Sequence, residues 1–460
     1  MNKNYVLALM AAASLAACSK NDDNNTTPPP TTPTDTVMVR NTIAANTTWS
    51  KNKVYVLRGY VYVDAPAKLT IEAGTKIISY RDSAGVLLVY KGAKIDANGT
   101  TDNPIVFTSG HKDAKPGDLG GVILVGNATG NGNHSKLEGG VDAAHNQFGG
   151  TDDADNSGSL TYARIEYGGK AVAPNDEING LTLYGVGNGT TLHHLQILNG
   201  LDDAIEIFGG TANLKYIIAY NNADDDFDFD DGYRGKIQYA VSIKQPSFTD
   251  AKTSGDVSNN FEVDNTNPNT KPVTSTPITN PILSNFTAIG PGVGTNVSKD
   301  YGYGMRWRRG SKFTLGNSIV ANSYLAALRI DDQEGIAFYT AGDSKFVNSL
   351  LQGAGADTIS LFAAGALVNN AGITALVTGR DASTIFAASK LADLKLTDPT
   401  NNANPNLVPQ TGSPAASGAK FDGTLNDTFF DKVAYRGAVD PANDWTKAKW
   451  VSWNRIVVTQ

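Results

Sequence analysis

The chain has 460 residues, a formal net charge of −7 and only 18% charged residues, with 47 Gly and a single Cys. An acidic balance of this kind excludes the basic footprint of a nucleic-acid binder. The sparse charge and turn-rich composition exclude a coiled coil or helical bundle, which needs long Ala/Glu/Lys/Leu-rich periodic stretches.

In chain order, Lys3 precedes an apolar run from Tyr5 to Ala17. That run is shorter than the roughly 20 residues a spanning helix requires and fits the apolar region of a secretory signal. It ends in Leu15-Ala16-Ala17-Cys18, which resembles the lipobox of bacterial lipoproteins. The resemblance implies a signal peptide over 1–17 and lipidation of Cys18. Ser19-Lys20-Asn21-Asp22-Asp23 resembles the surface-export signal of Bacteroidetes lipoproteins. Residues 18–36 then read as the lipidated Cys and a Pro/Thr-rich tether. The expected location is the outer membrane, facing the cell exterior, with the lipid as the only membrane contact. With Cys18 consumed, no disulfide can form.

From about Val37, short β-branched and aromatic runs alternate with Gly, Asn and Asp: VYVLRGYVYV (54–63), KLTIEAGTKI (68–77), VLLVYKGAKI (86–95) and NPIVFTS (103–109). Each reads as a short strand bounded by turns. Helical periodicity is hard to find before residue 360, and 383–395 (STIFAASKLADLK) is the best helix candidate.

The body repeats itself. Residues 192–210 (LHHLQILNGLDDAIEIFGG) lie over 214–232 (LKYIIAYNNADDDFDFDDG) without a gap, at an offset of 22. Leu192 meets Leu214, Asn199 meets Asn221, Asp202 and Asp203 meet Asp224 and Asp225, and Glu206 meets Asp228. A third copy at the same offset starts at Lys236, with Tyr239 and Val241 at the apolar places, and LTYARIEYGG (160–169) is a looser earlier copy. A period near 22 with two or three strands per unit describes coils that bury their apolar faces by stacking. The crossover rule makes the winding right-handed. Asn199 and Asn221 suit a ladder of left-handed turn residues. The fold expected is all-β, a right-handed parallel β-helix over 37–412 with a capping segment over 413–460. A β-propeller, whose blades need about 40–50 residues, does not fit.

The chain resembles a family of Bacteroidetes surface lipoproteins with a pectate-lyase-like right-handed β-helix. The residues that carry the resemblance are LTIEAGTKI (69–77), GAKIDANGTTDNPIVFTS (92–109), GDLGGVILVG (117–126), EINGLTLYGVGNGTT (177–191), DDAIEIFGGT (202–211), DDDFDFDDGYRGKIQ (224–238) and FFDKVAYRGAV (429–439). It covers roughly 45–455, and it implies the fold but no activity.

Chemistry concentrates in residues 224–231, six of which are Asp. With Phe227 and Phe229 inward, alternation sends Asp226, Asp228 and Asp230 outward. Glu206 then lies beside Asp228, and Asp202 and Asp203 stack on Asp224 and Asp225. Carboxylates one coil apart, about 4.8 Å, repel. Either a shared proton or a bound Ca²⁺ relieves that repulsion; solvated turn caps are the plain alternative. Arg234 and Lys236 are the weak catalytic candidates and equally counter-charges to the Asp run. Asp153-Ala154-Asp155-Asn156-Ser157-Gly158 resembles half of a calcium loop, with Arg164 where the bidentate Glu would fall. His193 and His194, adjacent in a strand, are expected to face opposite ways and share no metal. His111, His134 and His145 fall in loops. Tyr301, Tyr303, Arg306, Trp307, Arg308 and Arg309 form an aromatic–basic group. It offers either stacking and bidentate contacts to an acidic glycan or an ordinary rung with core aromatics.

Three functions stay open at this point: a glycan- or partner-binding adhesion module stabilised by Ca²⁺, a Ca²⁺-dependent polysaccharide lyase or other carbohydrate-active enzyme, and a structural surface protein. Whether the chain is an enzyme is undecided. A polysaccharide or cell-surface molecule is the expected partner.

Overall fold

The computed structural model describes residues 35–173, 176–250, 256–355, 357–361 and 369–454. The expected signal peptide, Cys18 and nearly all of the expected tether fall outside the described residues.

Two parallel sheets, of 17 and 10 strands, form the walls of a β-helix. The ten-stranded sheet runs rung by rung from Tyr60–Val63 to Ile359–Leu361. Alternation along each strand sends one set of side chains inward. Leu181 and Leu183, Ile205 and Ile207, then Phe227 and Phe229 follow one another in register and are all buried in one continuous core. Phe227 stacks on Phe261 of the next coil at 5.2 Å between ring centres.

The 22-residue step is real where it was read: Leu192 pairs with Leu214 and Leu195 with Ile217. It fails one coil later. Leu214 pairs with Ile237 and Ile217 with Ala240, an offset one residue longer. Tyr239 therefore does not fill an inward place. It takes the left-handed kink, at φ +61°, that Tyr162, His194 and Tyr216 take in the preceding coils and Asn285 and Asn317 in the following ones. Asn199 and Asn221, at φ +57° and +56°, form the second left-handed ladder expected of them.

Two α-helices lie where no periodicity announced them, Gln333–Ala341 and Asn370–Thr378. Asp332 and Asn369 cap them by accepting from Gly335 N (2.6 Å) and Gly372 N (2.8 Å). Their buried Ile336, Tyr339, Ile373 and Val377 join the core. The expected helix over 383–395 is instead a strand, Thr384–Phe386, followed by a 3₁₀ run, Ala388–Leu394. Thr384 and Ile385 pair with Leu350 and Leu351, so sheet pairing overrides local propensity.

Residues 413–454 lie along the side of the coils as a strap, not over an end. Asn317, Asn285, Gln238 and Gln196 donate in turn to the carbonyls of Lys420 (2.9 Å), Tyr435 (3.1 Å), Asp431 (2.9 Å) and Ser452 (2.7 Å). The strap runs back and forth along the stack: after Asp431 meets Gln238, the Gly437 amide returns to Asn317 O (2.8 Å), and Ser452 then reaches the earlier coil of Gln196. Beneath it an outward apolar stripe (Leu198, Ile218, Tyr220, Val241, Ile243 and Ile289) is buried against Val439 and Trp450. These strands are covered on both faces, which is why they read as near-continuous apolar runs.

An acidic ladder on the ten-stranded sheet

The outward side chains of the ten-stranded sheet change character along the stack. In register they read Leu88, Ile123, Thr182, Glu206, Asp228, Glu262, Arg306, Arg329 and Ser360. The early apolar rungs are covered by a loop whose Leu137, Val141 and Phe148 pack on the sheet with Tyr184 and Phe208. That cover gives way to polar contacts at the acidic rungs.

Asp203, Glu206 and Asp228 bring ligating oxygens within 4.8 Å of one another. Asp225, Asp228 and Glu262 do the same, as do Asp202, Asp203 and Asp224. The Asp225 amide donates to Asp203 Oδ1 at 2.8 Å, the Asn259 amide donates to Asp225, and Asn179 donates to Glu206. Asp228 Oδ1 is shielded from solvent and has no hydrogen-bond partner. Burial pushes the carboxyls of Asp203, Glu206, Asp228 and Asp230 well above the ordinary carboxylate range, and mutual repulsion pushes them further. Glu262 rises to about 7, burial outweighing the pull of Arg308 and Arg306. An all-oxygen set at this spacing suits a hard cation such as Ca²⁺.

Asp226 departs from the expected outward face. It precedes the strand Phe227–Asp230, where the chain turns the corner between the sheets. Its carboxylate sits inside, bonded to Ser242, to Asn222 Nδ2 (3.2 Å) and to Lys244 Nζ (3.2 Å).

Neither weak catalytic candidate reaches the ladder. Arg234 is directed to Asp153 (2.9 Å) and Lys236 to Asp427 (2.6 Å). They are not counter-charges to the Asp run either, because the sequence neighbours of a strand diverge where the chain turns. The half calcium loop is likewise committed: Asp153 accepts from the Thr129 amide (3.0 Å) as well as from Arg234, and Asp155 accepts from Asn127 Nδ2 (3.1 Å).

The aromatic–basic group divides. Trp307 is 1% exposed and stacks on Phe313 at 3.8 Å, so it cannot meet a sugar. Tyr301 is buried and its hydroxyl donates to Gln245 O and Phe248 O. Arg306, Arg308 and Tyr303 do lie on the outer face. Arg306 contacts Asp331 (2.8 Å) and Glu262 (3.3 Å). Arg308 grips Asp264 with two bonds of 2.7 Å, and Arg309 reaches Asp264 at 2.7 Å. Burial opposes ionisation of Asp264, but these arginines override it and hold the carboxyl below its usual range. Tyr303 lies under Arg306 and Arg329, 6.0 and 5.8 Å from its ring centre.

Sequence reading missed Glu262 and Asp264, which an insertion separates from the Asp run, and His134 and Asp231. His134 Nδ1 lies 2.9 Å from Asp231 Oδ1 and 3.9 Å from Asp230 Oδ2, with Glu138 3.8 Å from Nε2. Burial disfavours the charged ring, and Asp231, Asp230 and Glu138 outweigh it, lifting His134 to about 9. Nothing in the sequence around this loop histidine pointed to a partner about a hundred residues away. His145 bonds Asp64 and Asp142, and His111 accepts from the Arg81 amide, so the three loop histidines share no site.

A family model described as a pectate-lyase-like beta helix domain matches residues 41–387. No curated protein and no solved structure matches the chain.

Proposed function

The chain belongs to the pectate-lyase-like β-helix family, and on that premise we propose that it is a surface lipoprotein that binds an acidic glycan through Ca²⁺ held on the acidic ladder. One observation carries the reading: Asp228 Oδ1 is buried without a hydrogen-bond partner, in a carboxyl that lies close to Asp203 and Glu206 of the preceding coil, Asp225 of its own coil and Glu262 of the next. A bare carboxylate oxygen in that position is costly. A divalent cation would supply the missing positive charge and leave coordination positions for a ligand carboxylate. Asp203, Glu206, Asp228, Asp225 and Glu262 would hold it. Asp202 and Asp224 line the same turn, and Asp230 adjoins it.

Lyase chemistry on the same face would need a base poised over the ladder. Arg234 and Lys236 are directed elsewhere, and Arg306 and Arg308 are engaged by Glu262, Asp264 and Asp331. Binding is therefore the better-supported function.

The test is calorimetric titration of the protein with polygalacturonate, alginate and chondroitin fragments, with calcium and with EDTA. Saturable binding that requires calcium and disappears in Asp228→Asn supports the proposal. Absence of binding to every acidic glycan sinks it and favours a structural role. Appearance of unsaturated products during the titration would replace it with the lyase.

A further inference from the structure

His193 and His194 are neighbours in the strand Thr191–Leu198, and alternation should send their rings to opposite faces. The structure does otherwise. His194 occupies the left-handed kink at φ +54°, which breaks the alternation. The two rings meet at 85° with their Nδ1 atoms 2.9 Å apart. Both residues are half-buried, and so open to solvent on one side.

We propose that His193 and His194 form a chelating site for a tetragonal first-row divalent ion, copper(II) above nickel(II). The separation is that of the hydrogen bond between the rings, and it also matches one class of ion. Metal–imidazole bonds of about 2.05 Å place two ligands about 2.9 Å apart when they subtend a right angle and about 3.3 Å apart at a tetrahedral centre. The observed spacing fits the right-angled pair that copper(II) and nickel(II) favour, and copper(II) stands highest in the affinity order. The donors are also in the required state. Burial disfavours the charged form of both imidazoles, and the neutral form is the one that ligates a metal. Without an ion, the two Nδ1 atoms share one proton in an N–H···N bond. An ion replaces that proton, which moves through solvent to the Nε2 of the same ring, so each histidine stays neutral.

The surroundings hold the rings in place. His194 is sandwiched between Tyr162 (4.2 Å between ring centres) and Tyr216 (4.4 Å), and Trp450 meets it edge-on at 5.6 Å. Lys215 is the strand neighbour of His193 in the next coil, but its ammonium is drawn 2.9 Å from Asp431. The remaining coordination positions fall to water or to an exogenous donor.

Trp450 makes the site readable, because copper(II) quenches a nearby indole. The experiment titrates copper(II), nickel(II), zinc(II) and calcium separately into the full chain carrying Cys18→Ala, which removes the competing thiol. Tryptophan fluorescence and the copper electron paramagnetic resonance spectrum are recorded. The expected result is saturable one-to-one quenching by copper(II), weaker for nickel(II) and absent for calcium, with a spectrum showing two nitrogen ligands. His193→Gln should weaken it at least about tenfold while leaving the Tyr162–His194–Tyr216 stack intact. His194→Asn should do the same while keeping the kink, since Asn occupies it at Asn285 and Asn317. Unsaturable quenching, or equal affinity in both folded variants, overturns the proposal. So does a two-nitrogen spectrum that persists in them. Neither outcome bears on the acidic ladder, which lies on the other sheet.

Discussion

Lys244 and Asp226 form an ion pair inside the β-helix, 3.2 Å apart, with side-chain exposures of 1% and 0%. Lys244 also bonds the carbonyls of Asn222 (3.4 Å) and Asp224. Burial lifts the Asp226 carboxyl, and Lys244 pulls it back only in part. The lysine thus ties down, from within, the turn that carries Asp224 and Asp225 to the ladder. Lys244→Met, which leaves Asp226 buried and unpaired, should destabilise the protein by about 3–5 kcal/mol. Adding Asp226→Leu should restore much of that loss. Chemical denaturation of both variants checks the pair, and equal losses would refute the assignment.

The ladder sets a pH dependence of unusual sign. Glu262 rises to about 7 when folded, and burial and mutual repulsion also lift Asp203, Glu206, Asp228 and Asp230 above the ordinary carboxylate range. Unfolded carboxyls ionise at about 4. Between these values the folded chain holds more protons than the unfolded chain, so this contribution to stability is present at low pH and is lost as pH rises. In EDTA, the melting midpoint should fall from pH 5.5 to pH 7.5. A midpoint that rises over this range counts against a buried, unneutralised ladder.

Calcium should reverse that fall. At about 100 times its dissociation constant it adds about 2.7 kcal/mol. Asp228→Asn separates the two states of the site. In EDTA it should stabilise by about 1 kcal/mol, because one repelling charge is gone. In calcium it should abolish the gain. Thermal unfolding in both buffers reads both arms, and a variant that keeps its full calcium response removes Asp228 from the site.

The two left-handed ladders should respond differently to glycine. Asn221 is buried, and neither its amide nitrogen nor its amide oxygen finds a hydrogen-bond partner. Asn285 bonds Tyr435 O (3.1 Å) and Gly437 O (3.3 Å) and accepts from Gln238 (3.1 Å). Glycine adopts either conformation freely. Asn221→Gly should therefore stay within about 1 kcal/mol of the parent, while Asn285→Gly should lose about 1–3 kcal/mol through the orphaned partners. Matched denaturation curves decide it.

Much of this architecture was legible in the chain. The repeat at 192–232 is visible because consecutive coils there have nearly equal length, so inward Leu, Ile and Phe recur at a fixed step. From that repeat alone Glu206 could be set beside Asp228. What escaped lies where spacing changes. One added residue after Asp230 moved Tyr239 from the core to the kink, and an insertion before Phe261 hid Glu262. Alternation misjudged Asp226 and His194 because both sit where the backbone leaves the extended form. The strap over the 17-stranded sheet has no period at all, so nothing in its spacing marked it as a cover.

That strap also governs when the structure can be finished. Lys449 reaches back to Asp102, 2.7 Å away, and Arg164 bonds Trp450 O at 3.1 Å. Coils completed early in synthesis must wait for roughly 200–250 further residues before Leu198, Ile218 and Val241 are sheltered from water by Val439 and Trp450. Until then the nascent rod carries a greasy seam along its flank, and that seam invites association with other chains. Export as proposed above would meet the same interval, because a chain that crosses a membrane from its amino end delivers the seam before its cover.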